Sequence, residues 1–308
     1  MMTETRLPTV SVVVPTRDRP QLLRRAVAAI LGQTYPGPVH CVVVFDQSEP
    51  DLPWVDPGPQ RRLELVRNQR SPGLAGARNS GVLHADGELL AFCDDDDEWL
   101  PDKLVRQVEQ LQARPDAGVV TSGIFVRYQE RTITRTSPTP VVTHRQLLRS
   151  RVFELHPSTV VVRRRLLLER IGLVDEDIPG SYAEDYDWLL RAAKVAPVLA
   201  VREPLVTVHW HPSSFFADRW GIIISALTYL VDKHGELEQE RSGLARIYGQ
   251  IAFAHAALGE LGLARRWSRR TLSLNLCERR AYLALAVSLR LVPAGTLVRL
   301  AHAAGKGI

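Results

Sequence analysis

Three apolar runs constrain this chain most: Val10–Val14, Val39–Phe45 and Leu89–Cys93, each followed within two residues by polar ones. Runs this short and this apolar read as strands buried on both faces, the pattern of a parallel sheet. Between the first two lies helical spacing, with Leu22, Leu23, Ala26, Val27, Ile30 and Leu31 on one face and Gln33-Thr34-Tyr35-Pro36 ending it. Leu63–Val66 reads as a short third strand and Ala75–His84 as a helix before the fourth strand at Leu89. Strand and helix in alternation imply an α/β fold whose ligand site lies beyond the carboxyl ends of the strands. The conspicuous polar residues obey that rule: Thr16 and Arg17 end the first strand, Asp46 the second, and Asp94-Asp95-Asp96-Asp97 the fourth.

Further along, Pro101–Ala113 is an amphipathic helix and Gly118–Tyr128 alternates like a half-exposed strand. Arg131–Val142 is expected as a mobile loop or a ribbon, Thr159–Val162 as a short strand running into a helix that ends at Ile171. Glu184–Ala196 is helical, and Val198–His209 carries two short strand-like pieces. From about Trp220 the pattern is helical throughout, punctuated at Gly235, Gly259, Gly262, Asn275 and Pro293. Ile247–Leu291 looks like helical hairpins of the tetratricopeptide kind. The expected organisation is an α/β domain over 1–219 and an all-helical extension over 220–308, basic from about 262.

The balance of charge separates these parts. From Gly262 onward there are nine Lys/Arg and one acid, Glu278, a balance of +8, whereas the preceding 261 residues carry −3. A uniformly basic nucleic-acid binder would not show this split, and no nucleic acid is expected as a partner. Cys41, Cys93 and Cys277 show no CxxC spacing, which argues against a disulfide framework or a zinc site and fits a reducing compartment. No signal peptide pattern opens the chain. The apolar stretches Ile222–Val231 and Ala281–Val292 fall short of the ~20 residues that span a bilayer. A cytoplasmic protein, peripheral at most at the inner face of a membrane, is the expectation.

The acidic run carries the chemistry. Four carboxylates after a buried strand repel one another, and sheet stability does not require them. A divalent cation, Mn²⁺ or Mg²⁺, would compensate, since such ions take one or two carboxylates together with substrate phosphates. The competing reading is a solvated acidic turn that caps the helix starting at Pro101.

Context favours the cation. VSVVVPTRDRPQLLRRAVAAILGQTYPG, VVVFDQS, GLAGARNSGVLHADGELLAFCDDDDEW and IGLVDEDIPGSYAEDYDWLLRAAK follow in that order. Together they closely resemble the family 2 glycosyltransferases, over residues 8 to about 215. The resemblance implies the GT-A fold, a Rossmann-like, mostly parallel sheet flanked by helices, here with an all-helical C-terminal appendix. It also implies an inverting transfer from a nucleoside-diphosphate sugar, most simply UDP-linked, to a glycan or lipid-linked hydroxyl in cell-envelope polysaccharide synthesis.

Carried over position by position, the resemblance puts Pro15, Thr16 and Arg17 along the nucleotide pocket and Asp46 on the base. The family's usual Asp-Asp-x-Ser is Phe45-Asp46-Gln47-Ser48 here, so one acid is missing. Arg78 matches the arginine near the donor phosphates. Asp94 and Asp96 match the Asp-x-Asp metal motif, Asp95 falls near the ribose, and Asp97 is support. Asp185, beside Glu184, matches the base that deprotonates the acceptor, although acids there also suit a helix N-terminus. Trp188 reads as core rather than a sugar platform. His209 and His211 compete for the histidine near metal and phosphates, with His211 preferred, and His156 in LHPST is a further candidate facing the acceptor.

Two rival readings remain. A sugar nucleotidyltransferase shares this sheet architecture but needs a Gly-rich loop after the first strand, which PTRDRP does not supply. A non-catalytic nucleotide-sugar-binding protein would use its helical extension as an interaction surface. The tail arginines Arg265, Arg266, Arg269, Arg270, Arg279, Arg280, Arg290 and Arg299, with Lys306, form either a solvated face or a contact for anionic lipid headgroups. Nothing in the pattern sets the oligomeric state.

Overall fold

The computed structural model describes residues 6–52, 57–128, 130–152, 154–210 and 219–303. In chain order the first elements are β1 (Val10–Thr16), α1 (Pro20–Leu31), β2 (Val39–Phe45), β3 (Arg61–Arg67), α2 (Leu74–His84) and β4 (Leu89–Phe92). There follow β5 (Glu98–Trp99), α3 (Lys103–Ala113), β6 (Val119–Tyr128), β7 (Arg131–Arg135), β8 (Val141–Val142) and α4 (His144–Arg149). Then come β9 (Val161–Arg163), α5 (Arg164–Leu166), α6 (Glu184–Val195) and β10 (Val198–His209). The chain divides into two compact units: Met1–Thr143 with Val152–Glu176 and Glu184–Trp210, and His144–Arg151 with Asp177–Ala183 and His211–Ile308.

The first unit is built on one sheet in the order β3-β2-β1-β4-β9-β6-β10-β5, with β7 paired to β6 and β8 to β10. β3, β2, β1 and β4 are parallel neighbours, as the apolar runs require. β9 is antiparallel to both β4 and β6, so it enters the sheet from the edge where its neighbours leave. This reversal brings the turn before β9 to the carboxyl edge of the sheet. α1 and α3 cover one face: Leu23, Val27 and Ile30 of α1 and Leu104, Val108 and Leu111 of α3 pack with Val10, Val12 and Val14. α2 covers the other face closely enough that a Cβ at Gly81 would sit 2.3 Å from Val13. α6 packs there too, with Trp188 edge-on to Phe92 at 6.1 Å between centroids and its Nε1 donated to the Gly172 carbonyl.

Several expectations are corrected. β6 is buried at most positions, not half-exposed, because it lies between β9 and β10 in the sheet. Val198–His209 is one strand, whose two register shifts around Pro204 produce the apparent break. Of the two forms expected for Arg131–Val142, a loop or a ribbon, the structure has the ribbon, with β7 folding back on β6 in register Tyr128↔Arg131 to Ile124↔Arg135. The acidic run leads first into β5, which pairs with β10, before the helix begins at Lys103.

The second unit is helical, with α7 (Trp220–Lys233), α8 (Arg241–Ala257), α9 (Leu261–Leu274), α10 (Arg279–Ser288) and α11 (Ala294–Ala303). α8 is buried along most of its length, and its core joins Ala252, Phe253 and Ala256 to Ala264 and Ala284. Trp220 lies edge-on to Phe253 and Tyr248 edge-on to Trp267, at 5.7 and 5.0 Å between centroids. Glycine is needed on α8 at Gly243, where a Cβ would meet the Leu148 carbonyl oxygen at 1.9 Å. No helix among the described residues is long and apolar enough to cross a membrane.

Candidate active site

The carboxyl edge of the first unit's sheet gathers the acidic run, the end of β1, the start of α6 and the turn before β9. Asp95 accepts a 2.7 Å hydrogen bond from Thr16 Oγ1 and a longer one, 3.3 Å, from Arg19 Nη1. The same Arg19 nitrogen is 2.9 Å from Asp96 Oδ2. Asp94 Oδ1 accepts from Arg78 Nη2 at 2.6 Å, while Nη1 of the same guanidinium is donated to Glu184. Asp97 is almost wholly buried and accepts from Ser158 Oγ at 2.5 Å.

These contacts rule out a solvated capping turn. Asp95 and Asp97 are buried and Asp94 and Asp96 only partly exposed. Burial, opposed by the Thr16 hydroxyl and aggravated by Asp96, pushes the Asp95 carboxyl up to about 6. Burial first and the neighbouring Asp94 second raise both Asp96 and Asp97. Burial likewise raises Glu184, against the pull of Arg78. For Arg78, burial works against the cation, yet Asp94, Glu184 and Asp185 outweigh it and hold the guanidinium above its ordinary range.

One group among the described residues has metal-ligand spacing: Asp94, Asp97 and His156, with candidate ligand atoms all within 4.8 Å of one another. His156 Nδ1 lies 3.3 Å from Asp97 Oδ2, and its Nε2 lies 4.0 Å from Asp94 Oδ2. Burial lowers the His156 pKa despite the acids around it, which favours the neutral ring that ligates metals. Carboxylate oxygens with one imidazole suit Mn²⁺ or Mg²⁺, and a cation would relieve the repulsion that raises Asp96 and Asp97. Asp96, expected as a ligand with Asp94, accepts from Arg19, and His211, also expected as a ligand, lies outside the described residues. His209 bonds Glu98 at 2.8 Å, and Arg25 bonds the same Glu98.

The other expected residues divide as follows. Pro15 is buried within β1, and Arg17 is exposed with its Nε 3.8 Å from Asp18. Asp46 is buried and accepts from Asn68 Nδ2 at 2.8 Å and from the Gly73 N–H at 3.1 Å. It thereby ties the end of β2 to the loop that starts α2. Gly73 has φ 119°, a conformation that side chains disfavour. Asp185 starts α6, accepts from the Tyr186 N–H at 2.8 Å, and lines a small cavity of about 20 Å³ with Arg78, Phe92 and Trp188. Trp188 is core, as expected. Sequence reasoning passed over Arg19 and Ser158. No local pattern marks them, because their partners lie 76–77 and 61–64 positions away along the chain.

The mixed α/β sheet with flanking helices is that of the GT-A glycosyltransferases. The profile of glycosyl transferase family 2 matches residues 11–170, and the chain belongs to that family. It is 28% identical over 192 residues to the uncharacterized glycosyltransferase YwdF of Bacillus subtilis, covering 60% of this chain and 68% of that protein. It is 30% identical over 102 residues to WfgD of Escherichia coli, a UDP-Glc:α-D-GlcNAc-diphosphoundecaprenol β-1,3-glucosyltransferase, covering 33% of this chain and 40% of WfgD. Among solved structures, Staphylococcus aureus TarS 1–349 with UDP-GlcNAc superposes at a TM-score of 0.61 and 17% identity, covering 91% of this chain and 90% of that one. The mannosyltransferase PcManGT of Pyrobaculum calidifontis, solved with GDP-Man and Mn²⁺, gives 0.56 and 20%, covering 95% and 87%. At these identities the structures establish the shared GT-A fold.

Proposed function

We propose that this glycosyltransferase moves a sugar from a nucleoside-diphosphate sugar, UDP-linked, to a hydroxyl of a glycan or lipid-linked acceptor with inversion at the anomeric carbon. The observation that carries this reading is the shared guanidinium. Arg78 bonds Asp94 of the acidic run with one nitrogen and Glu184, next to Asp185, with another. Diphosphate-side and acceptor-side carboxylates are thus held at one fixed spacing. The WfgD and TarS names support UDP-sugar donors, and WfgD's supports a lipid diphosphate acceptor.

In this reading Asp46 and Thr16 border the nucleoside, and Asp94, Asp97 and His156 would hold the divalent cation. When bound, that cation neutralises the departing diphosphate. Asp185 takes the proton of the acceptor hydroxyl as its oxygen bonds the anomeric carbon, and the carbon–phosphate-oxygen bond breaks on the opposite face. Glu184, paired with Arg78, keeps the first turn of α6 in place. Asp46 alone stands where the family has two acids, so recognition of the base rests on one carboxylate and the loop that it anchors. Residues 1–219 would form the transferase domain and 220–308 the extension, whose arginines meet anionic lipid.

The test is Asp185→Asn, assayed for turnover and for donor binding. Turnover should fall by at least about 10²–10⁴-fold, the range of general-base contributions, with donor affinity retained. Loss of both together would assign Asp185 a structural role instead.

A further inference from the structure

Ser158 is fully buried in the 3-10 turn that leads into β9, and it touches every member of the Asp94–Asp97–His156 group. Its hydroxyl donates to Asp97 Oδ2 at 2.5 Å and accepts the Asp94 N–H at 3.0 Å. Its own N–H reaches His156 Nδ1 at 3.4 Å. Its carbonyl accepts from Trp99 Nε1 at 2.9 Å, and the Lys103 amine lies over the Trp99 ring, 3.7 Å from its centroid. Both hydroxyl bonds therefore go to the acidic run, and the main chain on either side is fixed by groups packed around that run.

We infer that Ser158 is a positioning residue for the divalent-cation site. It sets the orientation of the Asp97 carboxylate and the backbone path at Asp94, while its turn holds the His156 ring. The inference rests on the reading that these three residues take the cation. The physical argument is one of competing forces. Asp94 and Asp97 repel each other, and a carboxylate with two rotatable bonds relieves repulsion by turning away. A hydroxyl that donates to one acid and accepts from the backbone of the other prevents that rotation before the cation arrives. Groups in this outer position orient ligands, and their loss costs about 10–100-fold in metal affinity. Ser158→Ala deletes one oxygen and strands the buried Asp97 carboxylate and the Asp94 N–H, so a loss of fold stability accompanies the loss of cation affinity and the melting temperatures in EDTA measure it separately. Because the serine bonds the Asp97 carboxylate and the Asp94 N–H, the affinity for UDP in EDTA should be unchanged.

The experiment is a titration of the full chain with Mn²⁺ alone and with Mn²⁺ plus UDP, followed by the free-ion electron paramagnetic resonance signal. Melting temperatures are recorded in EDTA in parallel. Ser158→Ala should weaken Mn²⁺ binding by about 10–100-fold, and Ser158→Thr, which keeps the hydroxyl, should restore most of it. Trp99→Phe, which releases the Ser158 carbonyl while keeping an aromatic ring, should weaken Mn²⁺ by a smaller factor, and it carries the test should Ser158→Ala fail to fold. Asp94→Asn is the control that separates the two claims. Mn²⁺ affinity that is unchanged in Ser158→Ala and Trp99→Phe but lost in Asp94→Asn overturns the role of Ser158 and leaves the cation site standing. Affinity that is unchanged in Asp94→Asn as well overturns the cation site itself, and the inference with it.

Discussion

Arg78 Nη2 and Asp94 Oδ1 are 2.6 Å apart, and the guanidinium that makes this bond is almost wholly buried with Glu184 on its other terminal nitrogen. One cation inside the first unit thus serves the end of β4 and the start of α6. Removing it leaves two carboxylates without their compensating charge. Arg78→Ala should destabilise the protein by about 3–5 kcal/mol, as breaking a buried pair does. Arg78→Lys should recover only part, because an ammonium cannot present the planar fork that reaches both acids. Urea unfolding checks both, and wild-type stability in Arg78→Ala would contradict the bridge.

Lys103 offers a pH test. Its amine is buried and has no hydrogen-bond partner among the described residues, resting on the Trp99 ring, and burial brings its pKa down to about 7. The unfolded amine keeps its proton to about 10.4. Between those values the unfolded chain binds more protons than the native one, so this group makes stability rise with pH. Lys103→Met should flatten that rise and add about 1–3 kcal/mol at pH 7 by removing an unsatisfied buried amine. Unfolding free energies at pH 7 and pH 9.5 decide it; an unaltered slope would refute the buried-amine account.

Asn79 clips the loop ahead of α6 to α2. Its Nδ2 donates to the Val174 carbonyl at 2.8 Å, its Oδ1 accepts the Val174 N–H at 2.9 Å, and Nδ2 also reaches Glu176 at 2.6 Å. Asn79→Ala should cost about 2–4 kcal/mol by stranding two backbone groups. Hydrogen exchange at Val174 should quicken accordingly, and unchanged protection there would show that the clip is dispensable.

On α9 the side chains of Arg265, Arg266 and Arg269 are exposed, as are Leu263, Leu276, Leu289 and Leu291 in the same unit. Basic side chains near an anionic surface contribute about 1 kcal/mol each, so reversing these three arginines to glutamate should weaken sedimentation with anionic vesicles by about 100-fold or more. Equal sedimentation of wild type and triple variant would assign the face to solvent.

What the sequence disclosed follows from range. The apolar runs of β1, β2 and β4 and the periodicity of α1 and α3 are local signals, and the structure has those elements close to where the pattern puts them. Asp46, Asp94 and Asp95 lie on one sheet edge because each follows a buried strand, which a reader of strand ends can anticipate. The two residues of β5 are too few to show a period. β9 runs against its neighbours, and no local pattern reveals that its leading turn, with His156 and Ser158, arrives at the acidic run. Arg19 sits in a polar loop where any residue would pass unnoticed, yet it is the cation that meets Asp96.

The most direct measurement is release of nucleoside diphosphate from a panel of nucleotide sugars, with Mn²⁺ and with EDTA, for wild type, Asp94→Asn and Asp185→Asn. The account predicts Mn²⁺-dependent release from a UDP-sugar in wild type, loss of donor binding and release in Asp94→Asn, and loss of release with binding retained in Asp185→Asn. Release that is indifferent to EDTA and to both substitutions would contradict it.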